Sequence, residues 1–390
     1  MTLVRLKQGK DRPIRSGHPW IFSGAIDGLD SALGPGDVVD VHAAGGEFLG
    51  RGYVNPRCAI TVRMLTRADE PIDAAFVTGR VRGALAWRRQ CLGGETNAYR
   101  LINGEGDRLP GFLVDVYGEF AVLQALTAGA ERLKPWLIES LCAEVGCRGI
   151  WERSSGNVRR EEGLPSIDAP AWGDPPPETL EVDESGHRFL VDLRAGQKTG
   201  FYLDQRPNRL LVQQLARGAR VLNAFAYTGS FGVYAGKGGA TRVVSVESSA
   251  RALALAERNW DLNHLPPEAA SFVQADVFRY LREGDESFDL LILDPPALVK
   301  RRADLDHGVR AYKDLNLQAF RRAAPGAVLA TFSCSQHLGA DLFRKIVHGA
   351  ATDAGRAVQV LGWLGPGLDH PTSLAHPEGE YLHGLLLRTI

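Results

Sequence analysis

No C-x-x-C pair and no Cys/His pattern with zinc-ligand spacing occurs in this 390-residue chain, and its cysteines (Cys58, Cys91, Cys142, Cys147 and Cys334) are odd in number. These absences argue against a structural zinc and a disulfide framework, and no metal site is expected. No run approaches the roughly 18 apolar residues of a membrane span, and the start, MTLVRLKQGK, lacks the apolar core of a signal peptide. A reducing cytoplasm is the expected location. An excess of either charge is also lacking: 45 Lys and Arg face 46 Asp and Glu. Nucleic-acid binding would therefore need a local patch rather than a global field.

What is present is ample apolar residue, 44% of the chain, enough for more than one core. Residues 1–71 read as short strands. DVVDVHAAGGEFLGRGYV alternates apolar and polar around a Gly-Gly turn, a hairpin signal, and AITVRML is a further strand, so a small β-barrel is expected. Its first segment carries Lys7, Lys10, Arg12 and Arg15, followed by HPWIFSG with His18, Trp20 and Phe22. Basic groups interleaved with rings suit RNA, where charge meets phosphate and rings stack on bases. The same rings could instead fill the barrel core.

Residues 72–185 read as a compact α+β unit: a helix over 72–92, two or three strands around GEGDRLPG, a helix near 130–145 and the strand GIWERS. The proline-rich APAWGDPPPETLEV, 169–182, is expected to be irregular. From 186 to 390 strands and helices alternate, which predicts a doubly wound α/β domain.

In such sheets ligands bind at the carboxyl ends of the strands. The first strand ends at Asn223 and Phe225 and enters a turn with Tyr227, Thr228 and Gly229, where glycine allows close backbone approach. The turn lacks G-x-G-x-x-G, which disfavours a nicotinamide dehydrogenase. Glu247 ends the second strand 18 positions after Gly229, a spacing that suits hydrogen bonding to a ribose; Glu247 could equally neighbour a helix cap at Ser248. Asp276 ends the third strand and could accept from an adenine amine, with Val277 and Phe278 against the ring, or cap the next helix. Asp294 is aimed by the two prolines that follow it. Cys334, in TFSCSQH, ends the fifth strand. A lone cysteine is usually a small hydrophobe, but polar neighbours and a place on the functional edge point to a nucleophile, which the amide dipoles of the following turn and helix would activate.

The series NAFAYTG, VVSVE, ADVF, LDPP and TFSCS resembles the class I S-adenosylmethionine-dependent methyltransferases. With HPWIFSGAI, GEGDRLPG, GQKTGFYLDQR, YKDLN and HPTSLAHPEGEYL, it resembles more closely the bacterial 23S ribosomal RNA cytosine-5 methyltransferases of the large-subunit type. The resemblance implies a PUA-type RNA-binding barrel, a central α+β domain and a Rossmann-like methyltransferase domain with an antiparallel last strand. It makes RNA contact the better reading of the basic N-terminal segment, with Lys198 and Arg206 added to it. It further implies that Phe201, Tyr202 and the turn at 223–229 cradle the cofactor, that Glu247 holds the ribose, that Asp276 with Val277 reads the adenine, and that Asp294 also contacts the cofactor. After Asp-Pro-Pro the family commonly carries Lys and an aromatic; this chain has Ala297 and Leu298. The implied chemistry is attack of a Cys334 thiolate on carbon 6 of cytosine, with Asp294 stabilising the adduct. Two other readings remain: methylation of an exocyclic amine of adenine or guanine, which needs no cysteine, and a non-catalytic RNA-binding protein. Ribosomal RNA is the implied partner, and a homodimer stays open.

Overall fold

The computed structural model describes residues 2–390. Two compact units emerge, and neither is continuous in sequence. The first holds the chain up to Val182 together with Val191–Leu203 and Leu368–Gly379, and the second holds Asp183–Leu190, Asp204–Gly367 and Glu380–Ile390.

The first unit opens with strands β1 (Thr2–Leu6), β2 (Trp20–Phe22), β3 (Ile26–Gly28), β4 (Asp37–His42), β5 (Phe48–Val54) and β6 (Ile60–Thr66), with the short helix α1 (Arg12–Arg15) after β1. They form one sheet in the order β2-β6-β5-β4-β1-β3. Alternation decides which side chains turn inward. Val39 and Val41 of β4 join Val4, Leu6, Ile21, Val54 and Val62 in the core, while Phe22 is 48% exposed. The barrel core thus takes Ile21 and not Phe22. Glycine is required in β5: a Cβ on Gly52 would lie 2.4 Å from the Arg63 carbonyl oxygen.

Next come α2 (Ala74–Leu92), β7 (Ala98–Asn103), β8 (Phe112–Tyr117), β9 (Phe120–Ala125), α3 (Ala128–Val145), β10 (Gly149–Ser154), α4 (Asn157–Glu161) and β11 (Ile167–Gly173). Asp73 and Thr127 cap α2 and α3 by accepting from Phe76 N and Ala130 N. The sheet runs β11-β10-β9-β8-β7. Here the expectation of irregular chain at 169–182 fails in part. APAWG lies in β11, paired with β10 across a register shift; as an edge strand it tolerates Pro170, whose missing N–H is not needed by a further neighbour. A hairpin, β12 (Leu180–Glu184) and β13 (His187–Val191), follows, its two-residue turn formed by Ser185 (φ 50°) and Gly186 (φ 77°).

The second unit contains α5 (Arg206–Leu215), β14 (Arg220–Ala224), α6 (Ser230–Lys237), β15 (Arg242–Glu247), α7 (Ala250–Leu262), β16 (Ala270–Gln274), α8 (Val277–Glu283), β17 (Phe288–Leu293), α9 (Leu305–Arg322), β18 (Ala323–Ser333), α10 (Ala340–Asp353), β19 (Val358–Leu364) and β20 (His383–Thr389). Its seven-stranded sheet has the order β16-β15-β14-β17-β18-β20-β19. The strands from β14 to β18 pair in parallel, and β20 inserts antiparallel beside β18. FDLLIL of β17 is buried almost throughout, as a central parallel strand covered on both faces should be. The strand order reverses between β14 and β17, which opens a crevice at their carboxyl ends. Among the described residues no helix is long and apolar enough to cross a membrane.

Under α5 and α6 the second unit carries a fully buried carboxylate. Glu184 accepts from Arg209 Nε at 2.8 Å and from Tyr234 Oη at 3.0 Å. Removing one partner of such a pair strands the other charge in low dielectric. Arg209→Met is expected to cost about 3–5 kcal/mol in urea unfolding, whereas Tyr234→Phe costs about 1 kcal/mol. His187 stacks on Tyr234 with ring centroids 3.8 Å apart, and burial holds its imidazole below the ordinary value. The unfolded chain therefore takes up that proton at higher pH than the folded one. Stability should fall as pH drops below about 6.5 until the folded group also titrates, and His187→Phe, which keeps the stack, should lose less stability on acidification.

Candidate active site at the strand ends

The turn after β14 is built from backbone that L-residues avoid. Phe225 (φ 58°), Tyr227 (φ 47°) and Gly229 (φ 77°) are all left-handed. For the two non-glycine residues this costs of order 1–3 kcal/mol each, strain that persists only where surroundings enforce it. Glu247 is the enforcer: its carboxylate accepts from Tyr227 N at 3.0 Å, Ser249 N at 2.8 Å and Ser248 Oγ at 3.1 Å. A carboxylate has about four lone-pair positions, so three donors leave capacity for a ligand hydroxyl. The cap of α7 is Ser249, which accepts from Ala252 N; the expected cap at Ser248 is displaced by one residue because Ser248 donates to Glu247.

Gly229 has a second constraint. A Cβ there would sit 2.8 Å from that of Ala256 on α7. Asn223 is buried and its Nδ2 lies 3.3 Å from Ser245 Oγ. Thr228 is buried too, yet among the described residues its hydroxyl has no hydrogen-bond partner. A buried orphan hydroxyl is costly unless something completes it. A strained turn with open backbone beside an acidic strand end fits a nucleoside ligand.

At the third strand end, Asp276 caps α8 by accepting from Arg279 N at 2.8 Å. Val277 is buried, and Phe278 meets Phe225 edge-on with centroids 6.1 Å apart, so these aromatics join two strand ends. At the fourth, Gln205 Nε2 donates to Asp294 Oδ1 at 3.0 Å. At the fifth, Cys334 Sγ lies 3.6 Å from the Pro295 carbonyl oxygen. The structure thus places the thiol directly beside the Asp-Pro-Pro turn.

Cys334 stands between two fully buried serines. Ser333 Oγ and Ser335 Oγ each lie 3.0 Å from the Tyr312 hydroxyl, and Ser335 Oγ also accepts from Val299 N at 3.1 Å. One phenol on α9 therefore grips both shoulders of the cysteine. Four residues on, Asn316 accepts from Thr331 Oγ1 at 2.8 Å, so YKDLN fastens α9 to β18 through an i, i+4 pair. That spacing is the signal by which Tyr312 is findable; Thr228 is expected with the turn at 223–229, whereas Gln205 is marked only by its place in GQKTGFYLDQR.

Phe201 and Tyr202 lie in the first unit. Phe201 is buried; the Tyr202 hydroxyl donates to Gln197 at 2.7 Å, and Lys198 sits 4.2 Å from the Tyr202 ring centroid. Lys7, Lys10 and Arg12 are exposed. Arg15, however, is paired with both Asp11 and Glu47 at 2.5 Å, so its charge is already answered. Arg206 is buried against Glu184 at 3.3 Å. That position contradicts its expected place on an RNA-facing surface: desolvating a guanidinium requires an internal partner, and Glu184 is that partner.

Two family models match the chain: a PUA-like domain over residues 4–67 and an S-adenosylmethionine-dependent methyltransferase over residues 162–351. The chain is 42% identical to the ribosomal RNA large subunit methyltransferase I of Salmonella arizonae, covering 99% of this chain and 97% of that protein. It is 41% identical to the protein of the same name from Cronobacter sakazakii, covering 97% of each. Among solved structures, a candidate S-adenosylmethionine-dependent methyltransferase from Streptococcus mutans has 22% identity and a TM-score of 0.85 over the whole of both chains. A chain crystallised with S-adenosylhomocysteine has 22% identity and a TM-score of 0.86, again over the whole of both. At that identity these two report the fold.

The strained turn makes a measurable claim. Gly229→Val forces a Cβ against α7 at a left-handed position. It is expected to weaken S-adenosylhomocysteine binding by at least about tenfold in calorimetry.

Proposed function

This chain belongs to the ribosomal RNA large subunit methyltransferase I family, its cofactor is S-adenosylmethionine, and we propose that it methylates carbon 5 of a cytosine in 23S ribosomal RNA through a Cys334 thiolate. The observation that carries this reading is the position of Cys334 Sγ, 3.6 Å from the Pro295 carbonyl beside Asp294. An exocyclic-amine methyltransferase needs the Asp-Pro-Pro turn but has no use for a clamped thiol next to it.

Carbon 5 of cytosine is a poor nucleophile. Addition of the thiolate to carbon 6 forms an S–C bond and pushes the ring electrons towards carbon 5, splitting one hard step into two easier ones. When bound, the cofactor supplies the electrophilic methyl group. Loss of the carbon-5 proton then returns electrons to the ring and expels the thiolate. The Asp294 carboxyl, one oxygen of which accepts from Gln205, would accept from the exocyclic amine and, carrying a proton, donate to N3 and so stabilise the negative charge as the adduct forms. Glu247, the turn at 223–229, and Asp276 with Val277 would hold the nucleoside part of the cofactor. The target base must leave its stack to reach such a site, and the exposed Lys7, Lys10 and Arg12 would contribute to holding the surrounding RNA.

Two of the other cysteines offer little competition. Burial pushes the Cys58 thiol up to about 11 and the Cys147 thiol up to about 12, so neither forms appreciable thiolate at neutral pH. With 5-fluorocytosine-substituted 23S RNA and S-adenosylmethionine, the wild-type chain should form a denaturant-stable adduct that Cys334→Ala abolishes. Full methylation by Cys334→Ala would sink the mechanism. Asp294→Asn should keep cofactor affinity within about threefold while lowering kcat by about 100-fold or more.

A further inference from the structure

The first unit contains a cavity of about 470 Å³ into which three guanidinium-bearing residues converge: Arg67, Arg80 and Arg108. Arg67 follows the end of β6, Arg80 comes from α2, and Arg108 from the GEGDRLPG turn; Thr66 and Ser373 add hydroxyls to the wall. Two carboxylates also line it, and both have partners. Glu105 accepts from Trp20 Nε1 at 2.7 Å and from Arg63, which is outside the lining, at 3.1 Å. Glu70 accepts from the Thr66 hydroxyl and stands 3.6 Å from Arg80 Nη2.

That leaves an excess of positive charge. Arg67 donates only to a neutral acceptor, the Arg15 carbonyl oxygen, at 2.6 Å, and among the described residues Arg108 makes no side-chain hydrogen bond or ion pair. Arg80 stacks over the Phe76 ring, 4.6 Å from its centroid, and its buried Nε has no acceptor. Burial first, and the charge of Arg108 second, depress its guanidinium against the pull of Glu70. Like charges brought together and only partly compensated are unfavourable without an anion.

The backbone holds this arrangement at a cost. Arg108 is left-handed (φ 58°) at the end of a single 3-10 turn, Gly104–Asp107. A Cβ on Gly106 would lie 1.9 Å from the Pro371 carbonyl oxygen, and one on Gly111 would lie 2.2 Å from Thr127 Oγ1. Close packing on both sides therefore fixes where Arg108 emerges. A strained, unpaired arginine facing a half-buried one is the pattern expected where a planar fork meets phosphate oxygens.

We propose that this cavity is a phosphate-recognition subsite that takes a phosphodiester of the RNA substrate. The inference rests on the RNA-substrate reading above and assigns contacts to residues outside the basic segment 5–15. Ser373, whose Oγ accepts from Ala375 N, keeps its own O–H to complement the guanidiniums.

The test uses the full chain and in vitro-transcribed bacterial 23S RNA in filter binding across a salt series, without cofactor. Arg67→Gln/Arg108→Gln changes two exposed side chains. It should weaken binding about tenfold or more at about 150 mM salt and lower the slope of log affinity against log salt by about one to two, at about 0.7–0.9 per phosphate contact. Arg279→Gln/Arg344→Gln, at exposed positions outside the cavity, should stay within about twofold. S-adenosylhomocysteine affinity should be unchanged, which shows that the chain remains folded. Wild-type affinity and slope in the cavity variant overturn the inference. If the wild type methylates the RNA in that case, the proposed function stands without it; if the wild type neither binds nor methylates the RNA, both fall. Calorimetry with AMP and inorganic phosphate separates the sources of the anion. No saturable complex up to about 1 mM of either supports a backbone subsite, while a tight AMP complex lost in the cavity variant overturns it in favour of a free-nucleotide pocket.

Discussion

The carboxylate of Glu247 is the interaction on which the second unit's site depends. By accepting from Tyr227 N and Ser249 N it ties the end of β15 to the turn after β14. That turn has two non-glycine residues in a conformation that costs of order 1–3 kcal/mol apiece. Released from the carboxylate, it would relax, and Phe225 would leave Phe278. The acid that the spacing suggests for a ribose is thus first a structural brace. A ribose held by Glu247, as proposed above, would have to share the oxygens that brace the turn.

Much of the architecture was legible because the second unit's strands are continuous apolar runs between turn signals, and parallel burial demands such runs. FDLLILD and GAVLATF fall on β17 and β18 for that reason. The proline of APAWG misled because proline excludes only central strands, and β11 is an edge. The one-residue error at the α7 cap has a similar origin: Ser248 and Ser249 are equivalent as letters, and the Glu247 carboxylate decides between them. Arg206 shows the limit of counting charges. It was read as an RNA contact beside Lys198, but a buried acid 22 positions upstream in the chain claims it. No local pattern reveals a pairing made by tertiary packing.

Residues flanking the thiol were legible by position and not by partner. Strand order puts Cys334 at the active edge. The grip of Tyr312 on Ser333 and Ser335 comes from a helix before the strand and is visible only as an i, i+4 polar pair. These hydrogen bonds hold the serines on both sides of the cysteine, whose Sγ lies against the Pro295 carbonyl. In the mechanism proposed above, a rigid root of this kind would serve a thiolate that adds to a ring and later departs.

The discontinuous division of the chain has a further consequence. The polypeptide passes between its two compact units five times. A single proteolytic nick anywhere along it therefore cannot yield one intact unit as a contiguous fragment: each half would retain pieces whose packing partners are on the other. Interleaving of this kind ties the inheritance of the two units together. Gene fission anywhere between residues 183 and 379 would divide both units, so the central α+β sheet and the seven-stranded sheet are expected to be inherited together, whereas the barrel, contiguous over residues 2–66, escapes that constraint.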